Sequence, residues 1–296
     1  MQTTLYQLEL DYRNIDCGMS YVFHLRDGRF FIIDGGYFTQ GEEDRLYDFL
    51  KERCDGGMPV VAGWFFSHAH QDHVGCFINF LWKYRSRVTI EKLIYNFQPV
   101  DFSNIHGDWK SSDPATVKEF YRTVDETCGG IPVITPHTGD VFQIGEITVE
   151  VLYTQEDLYP KKAAFNDYST VIMTQVCGQR ILWLGDIYKQ GSRILLRKKK
   201  GSLACDIVQV AHHGFGGATR ALYAKTRARV ALWPTAEYCM EKITCARNNK
   251  ANAFLLNNVQ EHLVSGHGTV MLPLPYQIGT AVSQNLFSIL PKAKSL

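Results

Sequence analysis

The sequence predicts an α/β fold, and three observations carry that reading. Short apolar runs bounded by turn residues alternate with segments of helical periodicity. Three of those runs, Val60–Phe66, Ile181–Leu184 and Ile207–Val210, reach a histidine or aspartate two residues after they end. In open α/β sheets the loops at the carboxyl ends of strands converge on the ligand site, so this placement of polar residues is informative.

The early elements are β-type. Tyr21–Leu25 and Phe30–Ile33 flank the turn Arg26-Asp27-Gly28-Arg29, which predicts a hairpin ending at Asp34-Gly35-Gly36. His24 falls within an apolar strand and reads as structural. Glu42–Arg53 places Leu46, Phe49 and Leu50 on one helical face, and Gly56, Gly57 and Pro59 stop it. Val60–Phe66 is a buried strand. Val74–Tyr84 is helical again, with His73 in its first turn. Val88–Phe97 reads as one further strand, and 98–113 as a long polar and aromatic loop that shapes a pocket. Asp113 caps a helix that Pro114 opens and that runs to about Thr127.

The second half is richer in strands. Asp140–Tyr153 predicts a hairpin around Gly145-Glu146, and Thr170–Val176 and Ile181–Leu184 are strands separated by a turn. A helix is expected over Gly191–Arg197, then a strand over Asp206–Ala211. A helix around Ala218–Lys225 leads to the strand Val230–Trp233. Val259–His262 and Thr269–Leu272 read as a final strand pair, and residues 235–262 as a second contributor to the pocket. No low-complexity linker or internal repeat interrupts the chain, so residues 1–296 read as one domain of two βα-type halves.

Composition narrows the function classes. Of 296 residues, 45% are hydrophobic, enough for a sizeable core, and the net charge is +1. A near-neutral chain is not what a dedicated nucleic-acid surface produces. The basic run Arg197–Lys200 reads as a solvated helix end. No 18-residue apolar segment predicts a membrane span, and Met1–Tyr6 lacks the features of a secretory signal. The eight cysteines form no Cys-x-x-Cys pair, so a structural zinc ribbon is not expected; they read as reduced thiols in a cytoplasmic protein.

The chemistry concentrates in Ser67–Gly75, where His68, His70, Asp72 and His73 fall within six residues. Asp186 follows the second polar-ended strand, and His212 and His213 follow the third. Imidazole and carboxylate together suit a divalent ion, with zinc foremost and manganese or iron as alternatives. The candidate ligands exceed one tetrahedral shell. Two ions about 3.5–4 Å apart, sharing a carboxylate, use them better and supply hydroxide at neutral pH.

These residues resemble the metallo-β-lactamase superfamily: His68-x-His70-x-Asp72-His73, then Gly185-Asp186, then a strand-end histidine. The stretches Asn166-Asp167-Tyr168-Ser169 and Asp206 to His212-His213-Gly214 are similar to the branch of ComEC-type DNA-uptake proteins and phosphorylcholine esterases. The resemblance implies a four-layer αββα sandwich with mixed sheets and a dinuclear site at one edge. It further implies that His68 and His70 hold one metal, Asp72 and His73 the other, and Asp186 bridges them. One of His212 and His213 completes the second shell; the other orients substrate or protonates the leaving group. The sequence departs from the pattern where a third histidine for the first metal is usual. Asn166 and Asp167 stand in that region, and His137 is a further candidate ligand. His267 is a candidate pocket residue.

The expected function is therefore hydrolysis by hydroxide bound to two metal ions, with Asp72, His212 and His213 in the catalytic set. The resemblance tilts the substrate toward a phosphoester of phosphodiester type, and the expected partner is a small-molecule or phosphoester substrate. A lactone, thioester or lactam hydrolase and a DNA or RNA nuclease are the alternatives, with nucleic acid not favoured. A binding module that uses metal only for stability is the reading from a different class. No Gly-x-Ser-x-Gly nucleophile elbow is present.

Overall fold

The computed structural model describes residues 2–97, 113–159, 161–199, 203–245 and 249–284. The order of elements is β1 (Thr4–Gln7), β2 (Tyr21–His24), β3 (Phe30–Ile33), α1 (Glu42–Arg53), β4 (Val60–Phe65), α2 (Gln71–Tyr84), β5 (Thr89–Ile90), β6 (Leu93–Ile94), α3 (Asp113–Thr127), β7 (Val133–Ile134), β8 (Val141–Ile144) and β9 (Ile147–Tyr153). There follow β10 (Val171–Val176), β11 (Gln179–Trp183), α4 (Lys189–Lys199), β12 (Ile207–Gln209), α5 (Arg220–Thr226), β13 (Val230–Trp233), α6 (Glu237–Cys245), α7 (Lys250–Asn258), β14 (Glu261–Val264), β15 (Thr269–Pro273) and β16 (Val282–Gln284).

The strands form two mixed sheets. The first runs β16-β15-β1-β2-β3-β4-β6-β7, with β5 also on β4, and the second runs β14-β13-β12-β11-β10-β9-β8. Alternation along each strand explains the layering. On β3, Phe31 and Ile33 join the core between the sheets, whereas Phe30 and Ile32 join the core under the helices. On β11, Ile181 and Trp183 face the other sheet, and Leu182 and the following Leu184 belong to the helix-side core. Helices α1, α2 and α3 pack side by side, as do α4, α5 and α7. The result is helix, sheet, sheet, helix: the αββα sandwich.

Most elements fall where hydrophobic periodicity placed them, including α1, α3 and the hairpins β2–β3 and β8–β9. Two expectations need correction. The strand expected over Val88–Phe97 is two short strands, β5 and β6, each parallel to β4. The half-buried Arg29–Glu91 ion pair lies at the break, where a polar Glu91-Lys92 step interrupts the apolar run. The strands expected to close the chain as a pair do not pair: β14 runs parallel to β13 in the second sheet, and β15 runs antiparallel to β1 in the first. The chain crosses between sheets at Ser265–His267. Gly266 makes that crossing possible, because a Cβ there would lie 2.2 Å from the Glu237 amide nitrogen. Helices α6 and α7 went unrecognised in the sequence. The pocket loop expected over 98–113 falls, apart from Asp113, outside the described residues.

Cys76 and Cys205 are buried, as small apolar residues would be. Among the described residues, no helix is long and apolar enough to cross a membrane.

One buried carboxyl gives the fold a pH dependence. Glu42, at the start of α1, is 3% exposed and accepts from Arg45 at 2.8 Å and from the Asp11 amide. Burial raises its pKa to about 7, against the opposing pull of Arg45. A carboxyl raised in the folded state keeps a proton that the unfolded chain releases. Its stabilising contribution is therefore full below the unfolded pKa of 4.5 and is lost as pH rises to about 7. Glu42→Gln is expected to flatten this fall, by an amount on the order of 2–3 kcal/mol. Urea unfolding of both proteins at pH 5 and pH 8 checks it; an unchanged difference between the two pH values would refute the assignment.

Candidate metal centre

The three polar-ended strands deliver their residues to one edge of the sandwich. The loop after β4 carries His68 and His70, and His70 ends extended, as the residue before α2. Asp72 and His73 then occupy the first turn of that helix, where a carboxylate is favoured by the helix dipole. The loop after β11 carries Asp186, and the loop after β12 carries His212 and His213. Backbone hydrogen bonds tie these loops together: Thr170 N donates to Ser67 O at 2.8 Å, and His212 N to Gly185 O at 3.1 Å.

The local backbone is unusual at these points. Asp34, His212 and His213 all have φ between 52° and 54°, a left-handed region that non-glycine residues adopt at a cost on the order of 1–3 kcal/mol each. Gly185 sits at φ +52°, and a Cβ there would lie 2.9 Å from Ser169 Cβ and 3.0 Å from Ser67 Cβ. Glycine before Asp186 is thus required twice over, by conformation and by space. Ser169, from the Asn166–Ser169 stretch, accepts from the Asp186 amide at 3.0 Å and fixes that loop.

Two groups of side chains could each hold an ion. One is Asp72, His73, Asp186 and His213; the other is His68, His70 and Asp186. His213 Nε2 lies 3.0 Å from Asp72 Oδ2 and 3.3 Å from both His73 Nε2 and Asp186 Oδ2. His73 Nε2 is 3.2 Å from the same Asp186 oxygen, and His68 Nε2 is 2.9 Å from His70 Nδ1 and 3.9 Å from Asp186 Oδ2. Asp186 therefore touches both groups through one oxygen.

The donor set fits a divalent cation. His213 Nδ1 donates to the Pro234 carbonyl at 2.8 Å, and His73 Nδ1 meets the Asp34 carboxylate at 2.8 Å. Each contact commits the Nδ1 proton and leaves Nε2 as an acceptor turned inward. Two bare imidazole nitrogens then face the buried carboxylate of Asp186 and the half-buried one of Asp72, with Asp186 Oδ1 itself lacking a hydrogen-bond partner among the described residues. Only positive charge reconciles so many buried acceptors. Without a cation, protons supply it. Against the effect of burial, Asp186 and Asp34 raise the His73 pKa to about 10, and Asp186 holds His213 well above the imidazole range. Burial would raise the two carboxyls, but His73 and His213 hold Asp72 and Asp186 low. His68 is pushed well below its ordinary value, first by burial and then by His73 and His70, so its ring stays neutral.

The other candidates are placed as follows. His212 is turned from the ligand group toward a cavity of about 500 Å³, and its Nε2 is 3.4 Å from Tyr188 Oη. Asn166 lines the same cavity. Asp167 Oδ1 accepts from the amides of Tyr188 and Gly191 at 2.7 and 2.8 Å, which directs it to the start of α4. Phe165 packs against His70 with ring centroids 4.3 Å apart and the rings tilted by 34°. His137 is exposed and bonds Glu156 at 2.8 Å; His267 is exposed, 3.8 Å from Glu237. Neither joins the cluster.

Sequence reasoning missed four neighbours. Asp34 orients His73, Asp113 Oδ2 lies 3.5 Å from His70 Nε2, Cys17 Sγ contacts Asp72 at 3.5 Å, and Tyr188 faces His212. Only Asp34 carried a signal, as the residue ending a strand before Gly35-Gly36. Asp34→Asn keeps the acceptor for the Ser67 amide, at 2.7 Å, but can place an amide group against His73 Nδ1. Loss of such an orienting carboxylate is expected to weaken metal binding about 10–100-fold, read by competition with a chromogenic chelator. Unchanged affinity would show that Asp34 only packs.

No family model matches the chain, and no curated protein matches it. Solved structures do. YhfI from Bacillus subtilis, a metallo-β-lactamase fold protein, superposes with a TM-score of 0.51 at 12% identity, over 88% of this chain and 95% of YhfI. This chain has the metallo-β-lactamase fold. Igni18, a metallo hydrolase from the archaeon Ignicoccus hospitalis, gives 0.50 at 15% identity, over 91% and 98%. CmlA, a diiron β-hydroxylase from Streptomyces venezuelae, gives 0.53 at 11% identity over 92% of this chain, which spans 54% of CmlA. Identities this low speak to the metallo-β-lactamase fold and not to substrate.

Proposed function

We propose that the protein is a metal-dependent hydrolase of a phosphoester substrate, with two divalent ions, zinc by the donor set. The observation that carries this reading is Asp186 Oδ2, within 3.2–3.9 Å of the Nε2 atoms of His73, His213 and His68. His68 and His70 would hold one ion; Asp72, His73 and His213 the other; Asp186 would stand between them. Bound there, such ions supply Lewis-acid charge and lower the pKa of water to about 7.

The chain's own residues do the rest. Asp34 and the Pro234 carbonyl hold two imidazoles in one tautomer. His212, kept neutral by burial at the cavity wall, can take up a proton at Nε2 from the attacking water and return that proton to the departing oxygen, with Tyr188 beside that ring. The phosphoester preference rests on the likeness of the Asn166–Ser169 and Asp206–Gly214 stretches to the phosphorylcholine-esterase and ComEC-type branch.

Metal analysis with a substrate panel tests the proposal. The zinc- or manganese-loaded protein is expected to cleave bis-nitrophenyl phosphate in preference to lactones, thioesters and lactams. Inactivity on every class with two ions bound would overturn the hydrolase reading; preference for a carbonyl substrate would overturn the phosphoester part alone.

A further inference from the structure

A second cavity, of about 570 Å³, lies beside the metal centre and is built from the continuation of its loops. Lys189 follows Tyr188, which lines the metal cavity, and Gly214 follows His213. Four cationic side chains line this second cavity: Lys189, Arg220, Lys242 and Lys250. No acidic residue lines it, and none of the four forms an ion pair among the described residues. In a chain of net charge +1, four cations without a counter-charge are a concentrated field.

The backbone of the same cavity is also arranged for an anion. The loop Gly214-Phe215-Gly216-Gly217 has positive φ at Gly214 (89°) and Gly216 (103°). The amides of Gly216, Gly217 and Ala218 have no hydrogen-bond partner among the described residues. Gly217 must be glycine, since a Cβ would lie 2.6 Å from Ala211 O. Helix α7 begins at the same cavity, capped by Asn249, and presents its positive end. Successive free amides and a helix start beside lysine and arginine are how proteins bind phosphate.

We infer that this cavity binds a second phosphate-type group of the substrate, next to the ester that the metal centre cleaves. The inference rests on the hydrolase reading for the word substrate, but the anion site itself does not. It makes the preferred substrate a small molecule with two anionic groups, one at each cavity. Lys189 and Gly214 of this cavity directly follow Tyr188 and His213 in the chain.

Titration calorimetry of the full chain with inorganic phosphate, metal-loaded and again with chelator present, tests it. The double variant Arg220→Ala/Lys250→Ala is expected to bind phosphate at least tenfold more weakly in both conditions. Both residues are exposed, so folding should be retained; Lys250→Glu provides a second variant with the same expected direction. Absence of binding to the parent protein, or equal binding by parent and variants, would overturn the site. Much tighter, steeply salt-dependent binding of a 20-nucleotide oligothymidylate would overturn the small-molecule assignment in favour of a nucleic-acid backbone. Phosphate bound here by a protein that hydrolyses nothing would support the anion site while removing the hydrolase reading.

Discussion

Asp186→Ala is expected to abolish hydrolysis, with a loss of at least a thousandfold, or about 4 kcal/mol of transition-state stabilisation. The carboxylate is 1% exposed, and one of its oxygens serves both ligand groups. Its removal deprives each group of an anion and leaves three imidazoles converging on an empty corner. Bound metal should fall together with activity, measured by elemental analysis and by turnover of bis-nitrophenyl phosphate. Melting temperature is the discriminating control. If activity survives while stability drops, the cluster serves the fold and not a reaction, and the protein is a metal-stabilised module instead.

Trp64→Ala is expected to cost about 3–5 kcal/mol of stability, the range for deleting a large buried aromatic side chain. Trp64 is fully buried on β4, edge-on to Phe77 and Phe80 of α2 and stacked with Phe66. Its indole nitrogen also donates to Asp34 O at 3.1 Å. The substitution therefore empties the core beneath the strand that delivers the histidine loop, and it frees the residue that orients His73. Denaturant unfolding should show the loss in midpoint, and metal affinity should fall as well. A midpoint shift below about 1 kcal/mol equivalent would mean that the neighbouring aromatic rings close the cavity.

Much of the candidate site was legible because its candidate ligands are local in sequence. His68, His70, Asp72 and His73 fall on one strand-to-helix turn, and the apolar runs before Asp186 and His212 mark two more strand ends. Residue chemistry and periodicity suffice to read such features. The choice between His212 and His213 as the residue beside Asp72 was not legible. It depends on two successive left-handed residues that turn one imidazole inward and the other to the cavity wall. Asp34 could be seen only as a strand end, because its contact with His73 spans 39 positions. Asp167 illustrates the opposite case: the resemblance, which expects a third histidine in its region, suggested a ligand, and tertiary structure gives its carboxylate to the amides at the start of α4.

The fold divides in the same way. Hairpins and amphipathic helices follow from the two- and 3.6-residue periods, which neighbours in the chain determine. The partner of β14 or β15 does not follow, since both read as short apolar strands and the sheet each joins is settled by packing across the sandwich. By itself the sequence determined the α/β class, the three strand ends and the cluster of metal-type residues. Only the tertiary structure decided that Asp186 stands between two candidate ligand groups, that Asp34 and Pro234 fix two of their imidazoles, and that four cations with no ion pair among the described residues line a neighbouring cavity. Those outcomes rest on contacts between distant segments, whose distances and tautomers no local pattern encodes.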